Sequence, residues 1–313
     1  MLSRIADSMY WMARYLERVG ETARLLEINL LYLLEAEEDM SEETKWMPLL
    51  SISSVASLYA DAYPDGAITT PRILQFVSSN RNNPNSIRNC LRICRENARV
   101  ARDRISKEMW EAVNEGWLFL EDRLKGAPTP ERAGALLREL RDHVSLINGL
   151  ATDTMMRGEA YSFFRLGSCV ERTDMTARIL DVKYHLILPE VSMVGSALDY
   201  YQWAALLKSL SGFEAFRRRY HTGFLPLNVV GFVLFEPDFP RSAVFSVGWM
   251  RTALNTIGLE GKDGTAAAFS SLCDLVDGRT AEATFGEGLH GYLTELLRRL
   301  AAFHSALSEE FFQ

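Results

Sequence analysis

The chain has 313 residues, a hydrophobic fraction of 48%, a charged fraction of 24% and a net charge of -7. That length and composition suit a globular protein with a large core. The acidic balance removes the global basic excess expected of a nucleic-acid binder, so only a local basic patch could serve that role.

Residues 2–30 place Leu2, Ile5, Met9, Met12, Leu16, Val19, Ala23, Leu26 and Leu30 at steps of three or four. That spacing predicts one long helix with a single apolar stripe, and its charges from the start argue against a secretory leader. Thr70-Pro71 predicts a helix start, with Thr70 as the cap. Helical spacing returns over 86–110, 130–150, 163–188 and 289–307, with Pro128 and Pro130 breaking the chain between two helices. The Val- and Phe-rich stretch 227–235 is the one strand candidate. The longest apolar run, 224–235, contains Pro226 and Asn228, so no membrane span is expected.

The sequence repeats itself. Residues 15–27 (YLERVGETARLLE) match residues 169–181 (CVERTDMTARILD) at six of thirteen positions, at an offset of 154. Pro71 falls opposite Pro226, Phe76-Val77 opposite Phe232-Val233, and Pro84-Asn-Ser86 opposite Pro240-Arg-Ser242, at offsets of 155 to 156. Ordered matches at a near-constant offset predict a duplication, with repeats over about 1–152 and 153–313. The counterpart of 229–235 follows a helix start, so that stretch is expected to be helix. The expected fold is all-α, a helical bundle of two pseudo-symmetric repeats forming one domain.

Each repeat carries Glu-Arg followed by Thr-Ala-Arg. Glu17 and Arg24 are seven apart and share a helix side with Tyr10, Arg14 and Glu21, roughly opposite the apolar stripe; taken alone that side reads as solvated, with Glu21 and Arg24 spaced for an ion pair. Glu171 and Arg178 share a side with Phe164 and Met175 instead. Charges kept among apolar neighbours predict burial, and a buried charge needs a partner. Two readings stay open for Glu17, Arg18, Arg24, Glu171, Arg172 and Arg178. One is a buried ion-pair network joining the halves. The other is a polar pocket in which arginines clamp a carboxylate or phosphate and a Glu acts as base or holds an amine.

Arg88, Arg92, Arg95, Arg99 and Arg102 recur at steps of three or four and form a basic helix side. It reads as a solvated face, as an anion site built on Arg88, Arg95 and Arg99, or as a surface for an acidic partner. Asp238 and Arg241 are weaker pocket candidates. Four cysteines show no disulfide framework. Cys90 and Cys94 share a helix side, as a metal or redox pair or as two buried thiols. With no second Cys or His pair nearby, no metal and no cofactor are expected.

Leu-Glu-Arg with Thr-Ala-Arg, repeated mid-chain, resembles the bacterial Alpha-E proteins. Asn83-Pro-Asn-Ser-Ile87, Arg95-Glu-Asn-Ala-Arg99, Met109-Trp110 and Phe239-Pro-Arg-Ser242 extend the resemblance over the whole chain. The resemblance implies a helical, cytoplasmic bacterial protein. It also implies a partner, a separate ATP-grasp ligase-like protein, often with a transglutaminase-like protein encoded nearby, and a setting of peptide or amide-bond synthesis or modification. Neither nucleic acid nor membrane is expected as a partner. An enzyme working through a Glu-Arg pocket and a purely structural interaction module are the alternatives.

Overall fold

The computed structural model describes residues 1–35, 41–126, 129–187, 197–221 and 223–313. Pro128 and Leu188, where two expected boundaries fell, lie outside them. Among the described residues every regular element is a helix and no strand is present. Helix α1 (Ser3–Glu35) carries the expected apolar stripe, which is buried from Ile5 to Leu26, while Leu30 is half-buried and Leu2, ahead of the helix, is exposed. Its other side is buried as well, including Arg14, Glu17, Glu21 and Arg24. A single apolar stripe would suit a helix with one solvated face, but α1 is covered on both.

The chain divides into two compact units, Trp11–Met156 and Met1–Tyr10 with Arg157–Gln313. The expected halves meet near residue 152. The compact units meet after Met156, and the first ten residues group with the C-terminal unit.

In the unit Trp11–Met156, α1 is followed by α2 (Glu42–Ile52), α3 (Ala56–Ala62), α4 (Thr70–Ser78), α5 (Ile87–Val100), α6 (Lys107–Arg123) and α7 (Pro130–Thr154). Helix α6 packs between α5 and α7, and α4 packs on α7. Gly20 lets α1 approach α7 closely, since a Cβ there would lie 3.0 Å from Val144 Cγ1. Arg141 of α7 donates to the buried Glu27 of α1, closing the same contact. Thr69, not Thr70, is the cap of α4. The Thr70 hydroxyl instead donates to Glu42 Oε1 at 2.8 Å and accepts from Trp46 Nε1 at 2.9 Å, pinning α4 to α2.

The stretch expected as one helix over 86–110 is two. The chain turns after α5 and restarts at Ser106, whose Oγ accepts from the Met109 N–H at 3.1 Å. The arginine spacing that suggested continuity runs across the turn, because Arg102 returns to the same side as Arg95 through a shared tryptophan.

The second unit holds α8 (Glu159–Ile187), α9 (Ala197–Ser209), α10 (Phe213–Arg219), α11 (Pro226–Val230), α12 (Ala243–Ile257), α13 (Asp263–Val276), α14 (Ala281–Glu287) and α15 (Leu289–Phe311). Helix α8 packs against α12 and α15, and α13 packs against α15. Tyr10 joins this unit through its hydroxyl, 3.0 Å from His304 Nδ1, with the two rings stacked. The 227–235 stretch is helical, α11 running into a wider π turn at Gly231–Phe235. Its Phe232 stacks on Phe239 at 4.3 Å, and Gly212 sits so tightly against both rings that a Cβ would lie 2.8 Å from Phe239 Cζ. At the C-terminal end, Glu310 accepts from the N–H groups of Gly264 (3.0 Å) and Thr265 (2.8 Å) and from the Thr265 hydroxyl (2.5 Å). One carboxylate thereby satisfies donors that the start of α13 would leave open.

Candidate functional site

The repeated motif sits on α1 in one unit and on α8 in the other. Glu17 is 3% exposed and Glu171 is 1% exposed, and neither is left without a partner. Their placement follows from helices whose polar side is covered by protein, where an ionised carboxylate persists only with polar neighbours.

The arginine after each glutamate reaches a helix cap inside its own unit. Arg18 lies 5.3 Å over the Tyr15 ring and donates through Nη1 to Asn85 Oδ1 at 2.9 Å. Asn85 is itself placed by two bonds, its N–H to Asn83 Oδ1 (3.0 Å) and its Nδ2 to the Ser53 carbonyl (3.3 Å). The next residue, Ser86, caps α5 by accepting from the Asn89 N–H. In the other unit Arg172 donates through Nη1 to the Pro240 carbonyl at 3.1 Å. One turn on, the Thr176 hydroxyl donates to the Arg241 carbonyl at 3.0 Å. Ser242 then caps α12, accepting from the Phe245 N–H at 3.1 Å and donating to the Glu236 carbonyl at 2.6 Å. Both motif arginines therefore hold the Pro-x-Ser turn that starts a helix of their unit.

The arginine of Thr-Ala-Arg finds an acid one turn back on its own helix. Arg24 pairs with Glu21 at 2.9 Å, three residues earlier. Arg178 makes a two-pronged pair with Asp174 at 2.7 and 3.1 Å, four residues earlier. With the motifs aligned, Glu21 stands opposite Met175 and Asp174 opposite Gly20. The acid has moved by one position and the pair is kept. Glu21 and Arg24 have the spacing expected of an ion pair, but the pair is buried rather than solvated.

The basic stretch lies along α5 and α6. Arg88 grips Glu121 with two bonds, 2.6 and 2.9 Å, and lies 5.7 Å from the Trp117 ring. Arg95 donates to Asn114 Oδ1 at 2.8 Å, and Arg95 and Arg102 both lie over Trp110. Arg99 pairs with Glu96 at 2.8 Å. Arg88, Arg95 and Arg99 are thus each engaged by a polar neighbour of their own unit. Arg241 offers its carbonyl to Thr176, while Asp238 points to solvent, exposed. Cys90 and Cys94 are buried, and burial, with Cys90 adding to it, pushes the Cys94 thiol up to about 12. Among the described residues no group of three or more His, Cys, Asp or Glu could hold a metal ion, and no helix is long and apolar enough to cross a membrane.

The residues that sequence reasoning did not assign are Asn85, Pro240, Thr176 and Asp174. The available signal was the shared Pro-x-Ser in both halves, which marks the turns that the motif arginines hold.

The sequence model of Alpha-E, described as a predicted alpha-helical domain with a conserved ER motif, matches residues 1–312. Two uncharacterized proteins, one from Mycobacterium bovis and one from Mycobacterium tuberculosis strain CDC 1551, are each 22% identical over 327 residues. A further uncharacterized protein from M. tuberculosis strain H37Rv is 21% identical over the same length. These matches take in 98% of this chain but only 36% of each relative, so the chain spans about a third of their length. No solved structure matches.

Proposed function

The chain belongs to the Alpha-E family, and on that premise we propose that it is a helical accessory or substrate-binding partner of an ATP-grasp peptide or amide ligase. The ligase is a separate protein of the bacterial cytoplasm, in a peptide synthesis or modification system that can include a transglutaminase-like protein. The observation that supports this reading is where the motif's arginines are used. Arg18, Arg24, Arg172 and Arg178 each hold a turn or an acid within their own unit. That use makes the motif a framework and leaves recruitment to outer surfaces. The mycobacterial relatives, in which the matched stretch is a minor part of a longer protein, agree with a module that works beside other parts. The two units are read as duplicated halves, since both place a Pro-x-Ser turn under the motif arginine.

The test is direct binding between the full chain and the ATP-grasp ligase-like protein encoded beside it, with ligase activity followed in its presence and absence. Binding with altered ligase turnover supports the reading. No binding, with ligase turnover unchanged, sinks it. The burial of Glu17 and Glu171 favours a second reading, a carboxylate site for transfer or hydrolysis on a carboxylate-bearing substrate. Glu17→Gln and Glu171→Gln separate the two: loss of a turnover with unchanged melting supports an enzyme, and lowered melting with unchanged ligase binding supports a framework.

A further inference from the structure

A run of ring contacts on the C-terminal unit leads from exposed tyrosines to a cluster of cations. Tyr201 and Tyr200 meet at 5.9 Å, Tyr200 and Phe224 at 4.8 Å, and Phe224 and Phe213 at 5.7 Å. Lys208 and Arg217 then lie over Phe213 at 5.5 and 5.7 Å. At the outer end Tyr201 is 55% exposed, and Leu225, next in the chain to Phe224, is 53% exposed. The inner rings continue into the core through Phe216, which meets Phe224 at 5.4 Å. The face is therefore one continuous patch on a fixed aromatic base.

Its charge is opposite to that of the protein. Over residues 197–221 four cations, Lys208, Arg217, Arg218 and Arg219, accompany two acids, Asp199 and Glu214, in a chain of net charge -7. Arg219 is paired with Glu236 at 3.3 Å. Arg218 makes a bond back to the Glu214 carbonyl at 3.4 Å. The other two cations are stacked on Phe213. Such a face suits an anionic occupant. Polybasic segments that hold an anionic bilayer gather roughly four to eight cations on a flexible or amphipathic stretch, and stable anchoring takes two such signals. This patch has fewer cations, and a folded aromatic base holds them. Tyrosine and arginine are the side chains that dominate protein interfaces, and anchors already held in place lose little freedom on binding.

We propose that this face docks an acidic surface of the partner protein, with Tyr201 and Leu225 as apolar anchors and Lys208, Arg217 and Arg218 meeting carboxylates. The inference rests on the partner reading above and names the surface that reading leaves open. Charge complementarity steers such an encounter, and salt weakens it.

The experiment measures affinity of the full chain for the ATP-grasp ligase-like protein by calorimetry at low and high salt. The variants are Y201A/L225A, R217E/R218E and, as a control on the exposed side of α7, R132E. All three change exposed side chains, and thermal melting confirms that each is folded. The expected result is a loss of more than tenfold in both patch variants, weaker wild-type binding at high salt, and R132E within twofold of wild type. Wild-type affinity in both patch variants overturns the inference and leaves the partner reading standing. Absence of binding by the wild type overturns both. Pelleting of the wild type, but not R217E/R218E, with vesicles containing phosphatidylglycerol assigns the face to a lipid surface and overturns the inference too.

Discussion

Arg18 donates to the side chain of Asn85, one residue before the serine that caps α5. Arg172 does the same work on a backbone carbonyl, that of Pro240, two residues before the serine that caps α12. In both places the second residue of a Glu-Arg pair holds the turn from which a packed helix begins. The motif is thereby tied to helix initiation.

Removing either end of the first tie should destabilise its unit. A hydrogen bond to a charged group contributes about 1.5–3 kcal/mol. Arg18→Ala and Asn85→Ala should each lower stability by about that much, and the double variant should lose less than the sum of the two. Urea unfolding of the three variants checks the coupling, and full additivity would show that the contact carries no energy.

Two glycines should respond with opposite signs. Ala at Gly212 pushes a methyl group into the stacked Phe232 and Phe239 rings, and overpacking of this kind costs about 1–3 kcal/mol. Ala at Gly248, inside α12, meets nothing within 4 Å, so the gain in helix propensity, up to about 1 kcal/mol, should show as stabilisation. Thermal melting of G212A and G248A side by side is the measurement.

Acid should loosen the C-terminal latch. The Thr265 hydroxyl, then the Thr265 N–H, hold the Glu310 carboxyl below the usual carboxylate range. A carboxyl with a lowered folded-state pKa binds protons less readily than in the unfolded chain. Its contribution is therefore complete above the unfolded value, about 4.3, and is lost as pH falls through the lowered folded value. Melting temperature against pH should fall more steeply in that window for the wild type than for Glu310→Gln, and parallel curves would count against the latch.

The thiols of α5 should be inert until the protein opens. Only thiolate reacts; the Cys94 thiol, pushed up to about 12 by burial, supplies almost none at pH 8, and Cys90 is shielded by its own burial. Mass spectrometry after iodoacetamide treatment should find Cys90 and Cys94 unmodified in native protein and modified in urea. Labelling of Cys94 at the rate of a free thiol under native conditions would contradict its burial.

Helix content was legible because apolar residues at steps of three and four are local facts, as in α1 and α15. What covers the other side of a helix is not local. The polar side of α1, with Tyr10, Arg14 and Glu17, read as solvated in isolation, and only comparison with α8 pointed to burial. The break before Ser106 was hidden by arginines that keep their side across a turn. The pairing of Arg178 escaped the repeat because its acid sits at Asp174, one position away from the residue opposite Glu21. The Pro-x-Ser turns were visible as matched segments, but nothing in a linear sequence says that Arg18 and Arg172 reach them, 67 and 68 residues downstream.

The unequal chemistry of the two ties sets unequal tolerance to mutation. Arg172 takes a main-chain oxygen, which every residue possesses, so position 240 is free to drift as long as the turn survives. Arg18 takes a side-chain amide, so position 85 can change only at the expense of the contact. A deep mutational scan would therefore see the motif's two copies as different objects: in the C-terminal copy a constraint on one residue, and in the N-terminal copy a constraint on a pair that must change together.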